Sequence, residues 1–270
     1  MIRDITIGQY YPTNSILHRL DPRVKLIGTF AFILSLFLFR SFYGYIVVTI
    51  FLFTVIKLSK VPFGYIVKGL KAVVLLLVFT LFFNIFFTPG DPLIEYGFIR
   101  VTKEGLLNSG FMAIRLTYLI IGSSLMTFTT TPNQLTDGLE KVLRPLNHIK
   151  VPVHEISMMM SIALRFIPIL LEETDKIMKA QMARGADFES GGLMKRAKSL
   201  IPLLVPLFVS AFRRANDLAM AMEARCYRGG EGRTKMKPLH YHGKDYAAYL
   251  CLIVYLGAII AFGILEKTVL

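Results

Sequence analysis

Three runs free of charged residues, Ala72 to Gly90, Leu116 to Thr136 and Tyr246 to Leu265, constrain this chain more than any other feature. Each is long enough to cross a hydrocarbon core of about 30 Å as a helix. A fourth stretch, Leu26 to Ile56, carries one charge, Arg40, inside Arg40-Ser41-Phe42-Tyr43-Gly44-Tyr45. It reads as two short spans joined by a tight turn, which predicts five spans. With 54% hydrophobic residues over 270 positions, the composition is not that of a soluble domain. The predicted fold class is an all-α membrane protein with a cytoplasmic helical coupling region between spans four and five. The domains expected are a four-span membrane part over 1–130, the coupling region over 131–245 and a final span over 246–270.

The net charge of +13 is distributed as topology rather than as a nucleic-acid footprint. Arg3, Arg19, Arg23 and Lys25 precede the first span, and Lys57, Lys60, Lys68 and Lys71 follow the second. The loop between spans four and five holds most of the remaining Lys and Arg. The intervening loops offer Arg40, or balance Asp91, Glu95 and Glu104 against Arg100 and Lys103. Alternate loops are therefore basic, which predicts that the N-terminus and the large loop lie in the cytoplasm and the C-terminus outside. Cys226 and Cys251 fall in a basic loop and in the last span, so no disulfide is expected between them.

Several local signals carry structure. Asp21-Pro22 reads as a helix cap followed by a first-turn proline, with Arg23 and Lys25 at headgroup level. Asn84, inside the third span, is expected to bond a neighbouring helix, and Arg115 to snorkel toward the interface. Phe98-Ile99-Arg100-Val101 suggests a short hairpin. Leu135, Leu139, Val142, Leu143 and Leu146 recur at helical spacing and predict a short amphipathic helix ending near Pro145.

Between Arg165 and Thr234 the chain follows one plan twice. An apolar start with a proline (Pro168, Pro206) leads into a charged helix, then Ala-Arg and a glycine-rich exit. The tripeptides are Ala183-Arg184-Gly185 and Ala224-Arg225-Cys226, their arginines 41 positions apart. A helix is expected to begin just after each proline. Ser199 to Phe212, with Pro202 and Pro206, reads as a buried or re-entrant corner too short to span. An arginine in a last helical turn complements the helix dipole. Two such arginines, each behind a small alanine and flanked by Met178, Met182, Met220 and Met222, also suit a pair of grooves, because a guanidinium fork makes parallel bonds that lysine does not reproduce.

Catalytic patterns are missing from the sequence. His154-Glu155 lacks the second histidine of a zinc-protease motif, since position 158 is Met. His240 and His242 have no accompanying ligand cluster. Gly229-Gly230-Glu231-Gly232 lacks the lysine and helix of a phosphate loop. No catalytic, cofactor-binding or metal-binding residue is expected.

The chain resembles the transmembrane T component of energy-coupling factor transporters, the CbiQ-like family. The resemblance rests on Leu20-Asp21-Pro22-Arg23-Val24-Lys25-Leu26, on Arg165-Phe166-Ile167-Pro168 through Ala180-Gln181-Met182-Ala183-Arg184-Gly185, and on Ala221 through Gly230. It implies a non-catalytic subunit of an ABC-type importer for vitamins or metal ions. Its implied partners are two cytoplasmic ATPases, which bind ATP and Mg, and a small membrane S component that binds substrate. Ala183, Arg184, Gly185, Ala224, Arg225 and Cys226 are then the ATPase-docking residues. Met158, Met159 and Met160, together with Pro202, Leu203, Leu204 and Pro206, are expected to form a platform for the S component. Cys226 departs from the family glycine, which leaves Arg225 intact and moves the expected left-handed exit to Gly229 or Gly230. Two rival readings, a conventional ABC permease and a polytopic membrane enzyme, lack respectively the Glu-Ala-Ala coupling loop and convergent acidic groups.

Overall fold

The computed structural model describes residues 9–39, 42–71, 73–89, 92–96, 99–188, 192, 194, 198–230, 236 and 238–269. The chain divides into two compact units, one of Gly8–Val142 with Leu239–Leu270 and one of Leu143–Pro238.

The first unit contains α1 (Pro22–Ser35), α2 (Phe42–Ser59), α3 (Phe63–Lys71), α4 (Val74–Phe87), the strands β1 (Pro92–Tyr96) and β2 (Ile99–Thr102), α5 (Lys103–Thr129) and α6 (Pro132–Leu143). The C-terminal helix of the chain, Gly243–Val269, also belongs to it. The start of α1 follows the cap signal: the Arg23 N–H donates to Asp21 Oδ1 at 2.9 Å, and Pro22 occupies the first turn. Helix α6 opens with a reciprocal capping box. The Gln134 N–H donates to Thr131 Oγ1 at 3.3 Å, and the Thr131 N–H donates to Gln134 Oε1 at 3.2 Å. The strands pair antiparallel as the expected hairpin, Glu95 opposite Arg100 and Tyr96 opposite Ile99.

The core of this unit is aromatic and aliphatic. Leu36, Val48, Ile66 and Ile259 are fully buried, and Phe51 stacks on Tyr255 with centroids 4.1 Å apart. Ser35 Oγ and the Tyr255 hydroxyl share a 2.8 Å hydrogen bond, so these two buried hydroxyls satisfy one another. Elsewhere large apolar side chains face outward, with Leu75 82% and Phe87 72% exposed. On α4 such a surface is stable in lipid and not in water.

Three helices among the described residues are long and apolar enough to cross a membrane: Lys103–Thr129, Val153–Ala183 and Gly243–Ile264. A fourth is possible by length if Tyr43–Ser59 and Phe63–Lys71, bent by 120°, form one broken span. The five separate spans expected from the sequence are not matched. Helices α1 and α4, at 14 residues each, reach roughly 21 Å, short of the hydrocarbon thickness. The turn residues Arg40 and Ser41 lie outside the described residues. The uncharged run Leu116 to Thr136 also breaks, because α5 ends at Thr129 and α6 starts anew at Pro132.

Two further local expectations change. The Asn84 amide donates to the Thr80 carbonyl of its own helix at 2.9 Å, not to a neighbour. Arg115 Nη2 donates to the Phe39 carbonyl at 3.1 Å, where α1 has ended, so it ties two segments together.

The second unit contains a 3₁₀ turn (Arg144–Ile149), α7 (Val153–Ala183) and α8 (Ile201–Ala224); the C-terminal helix Gly243–Val269 is hereafter α9. Contrary to the expectation of helices starting after the prolines, α7 continues through Pro168 and α8 through Pro206. Each proline deletes one backbone hydrogen bond, but helix-forming Leu, Ile, Met and Ala on both sides propagate the helix across it. Ser199 to Phe212 is therefore the front of a continuous helix rather than a corner.

Candidate functional site

Helices α7 and α8 run antiparallel. Arg214 Nη2 donates to Glu173 Oε2 at 2.8 Å, and Gln181 Nε2 donates to the Pro202 carbonyl at 3.3 Å. At the far end, a Cβ placed on Gly230 would collide with the His154 ring, so the exit of α8 lies directly against the entrance of α7. The Glu173–Arg214 pair is separated by 41 positions, the same offset that separates Arg184 from Arg225. Equivalent residues of a repeat meet across an antiparallel pair only on its local two-fold axis. The two helices are thus related by an approximate two-fold through Glu173 and Arg214.

This arrangement fixes the helix ends. Arg184 lies 11 positions beyond Glu173 and Arg225 lies 11 beyond Arg214. At 1.5 Å per residue the two ends are roughly 30–35 Å apart, on opposite sides of the axis.

Both ends close in the same way. Arg184 is the C-cap of α7; the Gly185 N–H donates to the Met182 carbonyl and the Ala186 N–H to the Gln181 carbonyl, each at 3.0 Å. Arg225 is the C-cap of α8; the Cys226 N–H donates to the Glu223 carbonyl at 2.8 Å and the Tyr227 N–H to the Met222 carbonyl at 3.1 Å. Each is a Schellman motif, which requires a left-handed residue just past the cap. Gly185 supplies it at φ +88°, and Cys226 supplies it at φ +54°. The expectation that Cys226 moves the left-handed exit elsewhere is therefore corrected: Gly229 is also left-handed at φ +89°, but Cys226 itself closes the helix. The six-to-one hydrogen bond is worth enough here to hold a side-chain-bearing residue in a region glycine prefers.

Ala183, Arg184, Gly185, Ala224, Arg225 and Cys226 are all exposed. Among the described residues neither the Arg184 nor the Arg225 guanidinium has a hydrogen-bond or ion-pair partner, each residue donating only its backbone N–H, to the Gln181 and Met222 carbonyls. Two unpaired guanidinium forks thus stand at the two ends of a near-symmetric helix pair.

The apolar candidates are placed differently from the single platform expected. Met158, Met159 and Met160 lie near the start of α7, and Pro202, Leu203, Leu204 and Pro206 near the start of α8, so antiparallel packing puts the groups at opposite ends. Leu203 is buried, whereas Met159 and Leu204 are exposed. The outward apolar stripe on α8 continues through Val205, Phe208, Val209 and Phe212, within the stretch Ser199 to Phe212 singled out in the sequence. By the repeat offset, Ile167 and Phe208 occupy equivalent positions, and both are exposed.

Sequence reasoning missed a polar cluster in the other unit. Asp245 is 1% exposed; its Oδ1 accepts the Asp21 N–H and its Oδ2 the His242 N–H, each at 2.8 Å. It therefore clips the start of α9 to the start of α1, across 224 positions. Arg23 donates to both Asp21 oxygens, at 3.0 and 2.8 Å, and lies 3.8 Å over the Tyr241 ring. Desolvation raises the Asp21 pKa, but the Arg23 bonds outweigh it and hold the carboxyl below its ordinary value. Lys25 Nζ donates to the carbonyls of Thr129 at 2.8 Å and His18 at 3.2 Å, tying in the end of α5. Burial lowers its pKa to about 8 against the pull of Asp21 and Asp245. Among the described residues no group of three or more His, Cys, Asp or Glu is placed to hold a metal ion.

The sequence profile of the CbiQ family, described as "Cobalt transport protein", matches residues 13–236. Curated relatives named "Energy-coupling factor transporter transmembrane protein EcfT" align over nearly the whole chain. The one from Clostridium kluyveri is 57% identical over 256 residues, 94% of this chain and 95% of its own. That from Thermosediminibacter oceani is 55% identical over 249 residues, covering 92% and 94%. That from Bacillus subtilis is 50% identical over 263 residues, covering 97% and 99%.

Proposed function

Since the chain belongs to the CbiQ cobalt transport protein family, as a transmembrane component of energy-coupling factor transporters, we propose that it is the coupling subunit of such an importer. In this reading it carries motion from two cytoplasmic ATPases, which bind ATP and Mg, to a small membrane S component that binds a vitamin or metal ion. The N-terminus and the α7–α8 pair then lie on the cytoplasmic side of the cell membrane. The chain itself is non-catalytic.

One observation carries the proposal: two exposed arginines, each fixed at the tip of a helix by a Schellman motif, stand at equal distances from a local two-fold. A two-fold ATPase pair offers two like grooves, and a rigid body with one fork at each end engages both together. When the grooves approach or separate, that body must pivot or scissor about the Glu173–Arg214 crossing. The exposed apolar stripe from Ile201 to Phe212, with Met159, Met160 and Ile167, is the surface that would carry this motion to the S component.

Affinity purification of the tagged chain from its native membrane tests the reading. Two phosphate-loop ATPases and a small hydrophobic protein should co-purify. A chain that purifies alone and transports or turns over a substrate by itself would refute it.

A further inference from the structure

Within the unit built from α1, α2, α5 and α9 an apolar groove of about 720 Å³ runs along the helices. Its walls include Val24, Gly28, Phe51, Leu58, Ala247 and Cys251. Among the described residues the charged ones lining it are Lys25 and Lys244, both at the end where α1 and α9 begin. Lys244 is exposed at the lip. Among the described residues no carboxylate lines the groove; Asp245, next to Lys244, is turned inward and engaged by the Asp21 and His242 N–H groups.

The groove's length is informative. From Lys244 to Ala258 along α9 it extends about 21 Å, which is half the thickness of a bilayer including its headgroups. Gly28, Ala247 and Ala248 are among its lining residues, and a Cβ added at Gly28 would meet no neighbouring atom. A groove one leaflet deep, apolar along its length and cationic only at the water-facing end, is complementary to an amphiphile with one negative charge.

We propose that this groove is a binding site for an anionic phospholipid. An acyl chain lies along Gly28, Phe51 and Cys251, and the headgroup phosphate pairs with the Lys244 ammonium. The buried Lys25, held by the Thr129 and His18 carbonyls, adds positive potential behind it. Anionic lipid is enriched in the leaflet facing the cytoplasm, where the basic flanks of α1 and α9 also lie in the proposed orientation.

The chain contains no tryptophan, so a single introduced one reports on the site without background. Leu250 lines the groove and is 64% exposed, which makes Leu250→Trp a mild change. The full-length variant is reconstituted in vesicles containing phosphatidylcholine brominated on its acyl chains, or the equivalent phosphatidylglycerol, at equal mole fraction. Phosphatidylglycerol should quench with about fivefold higher apparent affinity, the order expected of one lysine at an anionic surface. Adding Lys244→Ala should abolish that preference while leaving quenching by phosphatidylcholine, and adding Gly28→Leu should reduce quenching by both. Equal quenching by the two lipids, or a preference indifferent to Lys244→Ala, would overturn the proposal. So would a Gly28→Leu chain that keeps its lipid preference but no longer co-purifies with a small membrane protein, since the groove would then be a seat for a protein helix. Co-purification of the ATPases with the unmodified chain tests the coupling reading separately from this one.

Discussion

Arg214 and Glu173 meet at 2.8 Å on the local two-fold of the α7–α8 pair, and each stands 11 positions before one of the exposed tip arginines. The ion pair is partly open to solvent, so its contribution to stability is small, about 0.2–1 kcal/mol. Its position matters more than its strength, because any change in the crossing angle of the two helices is centred there. Arg214→Glu places two carboxylates at the crossing and should uncouple ATP hydrolysis from uptake while leaving the fold intact. The exchange Glu173→Arg with Arg214→Glu should restore uptake. Uptake by the reconstituted importer, measured beside its ATPase rate, decides the point. Equal uptake by the single and exchanged variants would remove any role for the pair.

The tips themselves make a second prediction. Arg184→Glu and Arg225→Glu should each weaken ATPase co-purification by about tenfold or more, since an unpaired or repelled charge in a groove costs about 1–3 kcal/mol. The double substitution should lose the ATPases altogether. Arg→Lys at either site retains the charge and the helix-dipole contribution but not the fork, and should weaken co-purification less than Arg→Glu does. Wild-type co-purification by both lysine variants would mean that charge alone suffices at the tips.

The two tips differ in the residue held left-handed. Gly185 tolerates φ +88° without strain, whereas Cys226 at φ +54° bears about 1–2 kcal/mol. Cys226→Gly should relieve that strain, offset in part by the greater freedom of glycine in the unfolded chain, for a net gain of about 0.5–1 kcal/mol. Gly185→Ala meets no neighbouring atom, so its cost is purely conformational, again about 1–2 kcal/mol. Hydrogen exchange at the Gly185–Ala186 and Cys226–Tyr227 amides reads both effects locally. Slower exchange in Cys226→Gly and faster exchange in Gly185→Ala are the expected results.

The sequence revealed features written in short range. The Asp21 cap, the hairpin near Ile99, the apolar runs and the two Ala-Arg tips each depend on residues within a turn or two of one another. Features that depend on packing were not legible. Nothing near Pro168 or Pro206 shows whether a helix stops or continues, because continuation is decided by cooperativity along both flanks. Cys226 looked like a break in the motif, since its left-handed conformation is sustained by hydrogen bonds that appear only once the helix end exists. The separation of Met158–Met160 from Pro202–Pro206 follows from antiparallel pairing, which a repeat leaves undetermined. Asp245, 224 positions from Asp21, carried no local signal of its role as a clip.

Lys25 gives a prediction in pH. Its ammonium is buried between α1 and the end of α5, and desolvation lowers its pKa to about 8 from an ordinary 10.5. Asp21 and Asp245 pull the other way but do not compensate. Between about pH 8 and 10.5 the unfolded chain therefore holds a proton that the folded chain has released. More protons bound in the unfolded state means that stability rises with pH across this window, and the cost of burying the charge is felt in full below it. Lys25→Met removes the titration and also the two hydrogen bonds to the Thr129 and His18 carbonyls. Thermal unfolding of both proteins in detergent from pH 7 to 10.5 separates the two effects. The lost hydrogen bonds give an offset independent of pH. The lost titration makes the wild-type midpoint climb relative to the variant as pH rises above 8, because other titrating groups are common to both. A constant difference across the window would show that Lys25 keeps its proton in the folded state, and that the two carbonyls with Asp21 and Asp245 stabilise the charge more than burial opposes it.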